Sequence, residues 1–589
     1  MKHIAATSFI LFFIAQSVYA QFKLPPNFYY QKMTNGFDVL VVADSTQPTI
    51  TVETCVKAGA FTESPSMDGV ARLYEHILFD KGLSRSQTAF QKQLKEVSTR
   101  YGSASTKEHL RFSLETDSTH LQKALELMHS RLCCPVFTQE ALENEKSVVA
   151  TELAEKNTKP EYRIETHMLP RLWGEQVSRK NVFGNPDTMA QATIEDLEAF
   201  REKYFYPNNS LIIVSGKVDH HKIFNQVADI FLDWQLSEFD PHGRWLMPEL
   251  RPLLYSHQFI VEDDTLTKPT FYFVWQGPDT RRDISATHGA TVFCYLVNQT
   301  NSTLQQALVG SGLAYHVNIT YTAQRYVGTF ALKMTTQPAQ IKKAYQVLLE
   351  QIALWDSDDY FTDTQLQAAK DLIALQYDGG EAEVLNNLDT IAHWWASANL
   401  DYHSTFVEKT TEVDRDEIKR TVVTYLKDRP YIAGLMISQQ DREALRVDTF
   451  FTDTYAPIET YTFAYKRNAP EFADSSAIDM LRSLRQWMYI NPETHIMING
   501  NADKSELLRV KDKEIRTFID SAMTFRLYPK PLLPQRNLRL DILRSMKVVK
   551  YLNEAGIAIE RLTGSGKLLT SENKQEAAKN RRAVVKLLY

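Results

Sequence analysis

The chain has 589 residues, of which 43% are hydrophobic and 23% are charged, and its formal net charge at pH 7 is −6. This composition is typical of a globular protein with several domains and excludes a largely disordered chain. The small net charge provides no extended basic surface, so we do not expect nucleic acid or an anionic membrane surface as a general partner.

The first 20 residues predict a secretory signal peptide. A basic start precedes a short apolar run, and Val18, Tyr19 and Ala20 form a small-residue cleavage pattern. A membrane anchor is the alternative, but no lipid-accepting cysteine follows the run, and no later segment is apolar enough to span a bilayer. We therefore expect a secreted protein that is not an integral membrane protein.

Residues 21–245 predict an α+β domain. Clustered or alternating β-forming residues predict strands in DVLVVAD, PTITVETCVKAGA, HLRFSLETD and NNSLIIVSGKV. Helices are predicted at 69–78 and 88–96 and in HLQKALELMHSRL, TQEALENEKSVVATELAEK and HHKIFNQVADIFLDW. A comparable order returns in residues 246–455, where PTFYFVWQG, ATVFCYLVNQT, RYVGTFALKMTT and QIKKAYQVLLEQIAL predict strand, helix, strand and helix. This repetition predicts two homologous halves.

Residues 456–589 predict a third, smaller module. It begins with a helix around MLRSLRQWM and the strand HIMINGNAD. A loop containing three prolines follows at 529–534, and a long helix at 538–555 ends at Gly556.

The four cysteines, Cys55, Cys133, Cys134 and Cys294, have no metal-ligand spacing among themselves. We interpret them as buried free thiols. One disulfide is the alternative in an oxidising compartment, and the sequence does not indicate which pair would form it.

Two predicted helices carry residues that suit metal chemistry. In GVARLYEHILF, Arg72 and His76 lie four residues apart on one helix face, with Glu75 beside them. In the H-x-x-E-H pattern of zinc peptidases these two positions hold the metal, and the glutamate polarises the attacking water. Glu145 and Glu152 are seven residues apart, so they share one face of a second helix.

From about residue 26 to residue 450 the chain resembles the pitrilysin/insulinase family of metallopeptidases. GVARLYEHILFDKG is similar to the family's metal-binding helix, YFYPNNSLIIVSGKVD to the strand that closes the first half, and GSGLAYHV to a substrate-binding segment. The resemblance implies two similar α+β halves, and family members often pair into a clamshell around unfolded peptide. The residue roles it implies are a general base at Glu75, zinc ligands at His76 and Glu152, a supporting carboxylate at Glu145 and a substrate contact at Tyr315.

Three departures from the family pattern concern activity. Arg72 stands at the first zinc-ligand position, Ser103-Ala104-Ser105-Thr106 replaces a substrate-binding N-A-x-T segment, and Leu308 replaces an arginine seven residues before Tyr315. A guanidinium about 4 Å from a dication would be repelled by roughly 8 kcal/mol at an effective dielectric constant near 20. It can neither lose its proton nor offer a lone pair.

We therefore expect Arg72 to form an ion pair with Glu152 or Glu75 in place of the metal. The alternative is that Arg72 points outward and zinc binds weakly through His76 and Glu152. Zinc is the expected cofactor if any cofactor is bound.

From about residue 460 the chain resembles the OmpA C-terminal-like family of peptidoglycan-binding βαβαβ modules. NPETHIMINGNAD, ILRSMKVVKYLNEAGIAIERLTGSG and AAKNRRAVV carry the resemblance. By position, Asp503 and Arg544 match the aspartate and the arginine that take the ammonium and the carboxylate of meso-diaminopimelate in the wall peptide. Asn501-Ala502 replaces the usual His-Thr, and about 35 residues are inserted where the family has a short connection.

The expected protein is a pseudopeptidase of the cell envelope. It would be secreted across the inner membrane into the periplasm and associated there with the cell wall or the outer membrane. The expected partners are the peptidoglycan peptide stem and either an unfolded peptide or a peptidase-family subunit. The alternatives are an active periplasmic zinc endopeptidase that uses Glu75, His76 and Glu152, and a purely structural wall-linked protein.

Overall fold

The computed structural model of the chain contains two compact units, residues 1–251 with 260–450 and residues 252–259 with 451–589. The described residues are 24–79, 89–238, 240–244, 250, 252–253, 256–377, 388–452, 461–473, 477–478, 481, 484–485, 488, 495–503, 506, 509–510, 515, 538–569 and 581–588. The predicted signal peptide at 1–20, the loop at 529–534 and most of the helix around MLRSLRQWM lie outside the described residues.

The strands are β1 Phe28–Lys32, β2 Asp38–Ala43, β3 Ile50–Val56, β4 Arg100–Ser105, β5 Leu110–Thr116, β6 Ser210–Gly216, β7 His257–Glu262, β8 Thr270–Gln276, β9 Ala314–Thr322, β10 Thr329–Thr336, β11 Ile432–Ile437, β12 Tyr461–Ala464, β13 His495–Asp503, β14 Arg509–Val510, β15 Leu538–Arg539, β16 Leu562–Leu569 and β17 Arg582–Leu588. The helices are α1 Val70–Leu78, α2 Ala89–Val97, α3 Leu121–Cys133, α4 Gln139–Asn157, α5 Pro160–Trp173, α6 Pro186–Ala190, α7 Ile194–Tyr204, α8 His220–Ile230, α9 Pro241–Arg244, α10 Ile284–Asn298, α11 Thr303–Gln305, α12 Ile341–Leu354, α13 Asp363–Tyr377, α14 Leu388–Ser397, α15 Leu400–Glu412, α16 Arg415–Tyr425, α17 Gln439–Ala444 and α18 Leu540–Glu554.

The first half is a six-stranded sheet with helices packed on it. Its strand order is β1-β2-β6-β3-β5-β4, and β2 and β6 are parallel whereas the other neighbours are antiparallel. Because side chains alternate between the two faces of a strand, Phe112 and Leu114 of β5 point into one core together with Leu73 of α1. The opposite face packs through Leu40 against Trp395 of α14.

The second half repeats this topology. Its five strands have the order β7-β11-β8-β10-β9. When the strands are paired in the order in which the chain forms them, from β2 with β7 to β6 with β11, this order is the same as β2-β6-β3-β5-β4 in the first sheet. The predicted α+β architecture and the predicted repetition of two halves are therefore confirmed. The terminal strands β4 and β9 occupy equivalent positions.

The third module is built on the mixed sheet β12-β17-β13-β16, in which β13 and β16 are parallel. Helix α18 packs on β13 and β16. A Cβ atom on Gly500 of β13 would lie 1.9 Å from the backbone oxygen of Asp541, so this close approach of helix and strand requires glycine. Gly556 follows α18 with φ of +94°, as the sequence predicts for a helix end. The assignment of an OmpA-like module stays a prediction.

Candidate functional site

Helix α1 carries the predicted metal-site residues, and a buried carboxylate fixes its start. Glu63 accepts hydrogen bonds from the backbone N–H groups of Gly69 at 2.8 Å and Ala71 at 2.7 Å, which satisfies donors that the first turn leaves unpaired. Burial raises the pKa of Glu63 well above its ordinary value. Gly69 has φ of +99°, and a Cβ atom on Gly184 would lie 2.3 Å from its Cα, so the approach to α1 requires glycine at both positions.

Helix α4 places both predicted carboxylates against the imidazole of His76. Oε2 of Glu145 lies 3.4 Å from Nδ1, and Oε2 of Glu152 lies 3.6 Å from Nε2. Oε2 of Glu75 lies 3.7 Å from the same Nε2. The His76 side chain is completely buried, and neither ring nitrogen has a hydrogen-bond partner among the described residues. The structure thus brings Glu75, His76, Glu145 and Glu152 together, as their helical spacing predicts.

Arg72 reaches this cluster from the first turn of α1. It donates to Oε2 of Glu152, the same atom that faces His76. Its guanidinium carbon also lies 5.3 Å from the ring centroid of Phe183, which Lys156 approaches from another side at 4.1 Å. The Arg72 side chain is 12% exposed and that of Glu152 is 38% exposed, so the pair lies at the edge of the buried cluster. Sequence analysis does not predict the Phe183 contact, because this residue is distant from α1 along the chain.

As folded, these residues do not fit a zinc ion. A catalytic zinc takes three protein ligands and leaves one position for water. His76 and Glu152 supply two donor groups, but Arg72 has no lone pair, and its positive charge lies on the Glu152 oxygen that would bind the metal. The guanidinium therefore balances the charge of this carboxylate in place of a metal ion.

The predicted substrate-binding positions differ in accessibility. Ser103 lies on β4, the terminal strand of the first sheet, which runs beside α1. Tyr315 lies on β9, the terminal strand of the second sheet, where it is 48% exposed and Nζ of Lys268 lies 4.1 Å from its ring centroid. Leu308 is completely buried, so its side chain belongs to the core.

In the third module, the guanidinium of Arg544 is saturated by the protein itself. It donates to both carboxylate oxygens of Glu506, at 2.9 and 2.8 Å, and both side chains are buried. The other donors bind the backbone oxygens of Lys466 at 3.0 Å, Ala469 at 3.3 Å and Asn501 at 2.8 Å. These contacts use all five N–H groups of the guanidinium. A ligand carboxylate would reach Arg544 only by displacing one of these acceptors.

Asp503 lies beside this pair, since its backbone N–H donates to Oε2 of Glu506 at 3.1 Å. Burial acts to raise the pKa of Glu506, but hydrogen bonds from Arg544 and from the backbone of Asn468 outweigh this effect and lower the pKa. The structure thus places Asp503 and Arg544 around a shared internal carboxylate. Sequence analysis does not identify Glu506, and its position three residues after Asp503 is the only signal that points to it.

Two buried charges of the first half hold one loop of the second half. Nζ of Lys180 donates to the side chain of Gln324 at 2.6 Å and to the backbone oxygen of Val327 at 2.9 Å. Glu108 accepts from the backbone N–H of Arg325 at 2.7 Å. Burial lowers the pKa of Lys180 to about 7. These contacts tie the two sheets of this unit together through polar groups that sequence patterns do not predict.

Comparisons with known proteins agree with the fold. Residues 38–184 match the family described as Insulinase (Peptidase family M16), and residues 191–373 match the family described as Peptidase M16 inactive domain. An uncharacterized zinc protease of Rickettsia felis is 22% identical over 212 residues, which cover 36% of this chain and 52% of that protein. Cytochrome b-c1 complex subunit 1 of Bos taurus is 22% identical over 210 residues, which cover 36% of this chain and 44% of that protein. The chain spans about half the length of the curated relatives it matches.

Among solved structures, a protease from Helicobacter pylori superposes with a TM-score of 0.59 at 17% identity, covering 70% of this chain and 99% of that one. This likeness concerns the fold of the two repeated halves. Within the described part of the chain, no helix combines the length and the apolarity that crossing a membrane requires.

Proposed function

This chain contains the two domains of the insulinase family, peptidase family M16, and from that premise we propose that it is a non-hydrolysing member that holds extended peptides or a partner subunit. The ion pair between Arg72 and Glu152 carries the proposal. It places a fixed positive charge on a carboxylate that a catalytic zinc would need, so the water that Glu75 would polarise is not activated.

The proposed binding surface is the outer edge of β4. An extended peptide can add to a terminal strand through backbone hydrogen bonds, which need no metal and no particular side chains. Strand β4 ends the first sheet and runs beside α1. A chain that has lost its metal chemistry therefore retains a backbone-binding surface at the same place.

A partner subunit is the other proposed occupant. One relative is named as a subunit of the cytochrome b-c1 complex, and another is named as a probable subunit beta of mitochondrial-processing peptidase. We infer that this chain also works in a complex, in which a second subunit would supply any peptidase activity.

The test is peptide binding and cleavage by the full chain. Labelled unstructured peptides should bind, as followed by fluorescence anisotropy, and should remain intact, as followed by mass spectrometry. Glu75→Gln should change neither result. Cleavage by the wild type that disappears in Glu75→Gln would instead establish the second candidate, an active zinc endopeptidase. The orphaned nitrogens of His76 favour this candidate, because a missing ligand would leave them in this state.

We further propose that the third module tethers the protein to peptidoglycan in the periplasm. The proposal is supported by the resemblance of NPETHIMINGNAD, ILRSMKVVKYLNEAGIAIERLTGSG and AAKNRRAVV to peptidoglycan-binding modules. It requires the carboxylate of the wall peptide to displace Glu506 from the buried guanidinium of Arg544. The full chain should sediment with purified peptidoglycan, and Asp503→Asn should reduce sedimentation. Glu554→Gln, an exposed carboxylate on α18, is the matched control. A wild type that stays in the supernatant would contradict the tether.

A further inference from the structure

A second cluster of metal-ligating side chains lies where the end of α3 meets the turn after α8. The cluster consists of His129, Cys133 and Asp233. One ligand atom from each residue lies within 4.8 Å of the ligand atoms of the other two. Nε2 of His129 and Oδ1 of Asp233 are already 2.7 Å apart. None of these residues contributes to the cluster around His76.

The residue types and their spacing suit a transition-metal ion. His129 and Cys133 are four residues apart on α3, so both side chains lie on one helix face. Imidazole, thiolate and carboxylate are the groups that bind zinc, and metal–ligand bonds of about 2.0–2.3 Å place tetrahedral ligand atoms roughly 3.3–3.8 Å apart. The observed separations, 2.7 Å between His129 and Asp233 and at most 4.8 Å for the other pairs, bracket this range.

The turn that carries Asp233 is anchored rather than free. The side-chain amide of Asn35 donates to the backbone oxygens of Phe231 at 2.9 Å and Trp234 at 3.2 Å, on either side of Asp233. The ring of Phe231 packs edge-on against His129, with 5.1 Å between ring centroids. The framework around the three ligands is therefore held in place before any ion binds, which lowers the cost of ordering a site.

We propose that His129, Cys133 and Asp233 bind a divalent metal ion of the zinc class, with water completing its coordination. On binding, the Cys133 thiol releases its proton to solvent, and the thiolate and the Asp233 carboxylate together balance the two positive charges of the ion. The expected role is structural, since the ion would join α3 to the turn after α8 and stabilise the folded chain. Cys133 and Cys134 are both free thiols. Cys133 is only partly buried and Cys134 is exposed, contrary to the expectation that both are buried.

Cobalt is the probe that tests the proposal, because a thiolate bound to Co²⁺ produces a charge-transfer absorption band that nitrogen and oxygen ligands alone do not produce. The reduced full chain should develop this band and saturate at about one equivalent of Co²⁺, as a single site requires. Cys133→Ser should abolish the band. Asp233→Asn should weaken Co²⁺ binding by about ten-fold or more.

The matched control is Asp229→Asn, an exposed carboxylate on α8 that lies outside the cluster. It should bind Co²⁺ like the wild type. Asp233 is 73% exposed, so its substitution does not endanger folding and keeps the test decisive even if Cys133→Ser folds poorly. The proposal is overturned if the wild type gives no band, or if Asp233→Asn and Asp229→Asn bind Co²⁺ equally well.

Discussion

Arg72 donates a hydrogen bond to Oε2 of Glu152, an atom that also lies 3.6 Å from Nε2 of His76. A guanidinium thus meets the carboxylate at the point where a metal ion would have to bind it. The helices that would form a metal site are all in place, and one side chain changes what the site can hold.

Arg72→His is expected to create a zinc site. The substitution removes the positive charge and supplies an imidazole one helical turn before His76. After dialysis, inductively coupled plasma mass spectrometry should find about one zinc per chain in this variant and far less with Arg72 in place. The zinc content of Arg72→Gln, a variant that removes the charge without adding a ligand, should stay low. All chains should carry Asp233→Asn so that the cluster on α3 does not contribute, and stoichiometric zinc with Arg72 in place would refute the ion-pair account.

The ion pair should also contribute to stability. Removing the Glu152 carboxylate leaves a mostly buried guanidinium without its partner, whereas removing both groups does not. A double-mutant cycle of Glu152→Gln and Arg72→Met should give a coupling free energy of about 1–2 kcal/mol, which is modest because Glu152 is 38% exposed. Urea denaturation measures it, and strictly additive effects of the two substitutions would show that the contact contributes nothing.

Glu506→Ala should strongly destabilise the third module. It leaves the buried charge of Arg544 without its carboxylate, a change that typically costs about 3–5 kcal/mol. Hydrogen exchange of 495–503 and 540–554 in the full chain should therefore accelerate, while exchange in the first unit should not change. The double variant Glu506→Leu with Arg544→Met should recover part of the protection, because no unpaired charge remains. Unchanged exchange in Glu506→Ala would mean that Arg544 does not depend on Glu506.

Lys180 predicts a pH dependence for the first unit. Burial lowers its pKa to about 7 in the folded chain, from 10.5 for an ordinary lysine. Between these values the unfolded chain binds more protons than the folded chain, so the free energy of unfolding rises with pH. Below about pH 7 the lysine is charged in both states, and the full cost of burying this charge lowers the stability of the folded chain. Lys180→Met should remove this rise. Urea denaturation of both proteins between about pH 7 and about pH 9 gives the difference in their free energies of unfolding. The other titrating groups contribute equally to both proteins and cancel in this difference. Parallel pH profiles would contradict the assignment.

The elements that sequence patterns identify best are those with clear periodicity. The strands β2, β3, β5, β6 and β8 and the helices α1, α3, α4 and α8 lie within a few residues of their predicted positions. Helices α5, α7 and α13–α16 are not predicted, and α14 is missed although most of its residues are buried. The cluster at Cys133 is missed for another reason. Cysteine spacing alone carries no sign of the site. The helical spacing of His129 and Cys133 is visible in the sequence, but only packing brings the Asp233 carboxylate near them.

The sequence by itself determined the repeated α+β halves and placed Glu75, His76, Glu145 and Glu152 on two helix faces, because helical spacing decides which residues share a face. It also showed that Arg72 cannot bind a metal, since a guanidinium has no lone pair. Only the tertiary structure decided which carboxylate Arg72 would pair with, and that Glu506 would occupy Arg544. Each pairing depends on how distant segments of the chain approach each other. The local sequence around an arginine therefore does not indicate which acidic residue will be close enough and buried enough to become its partner.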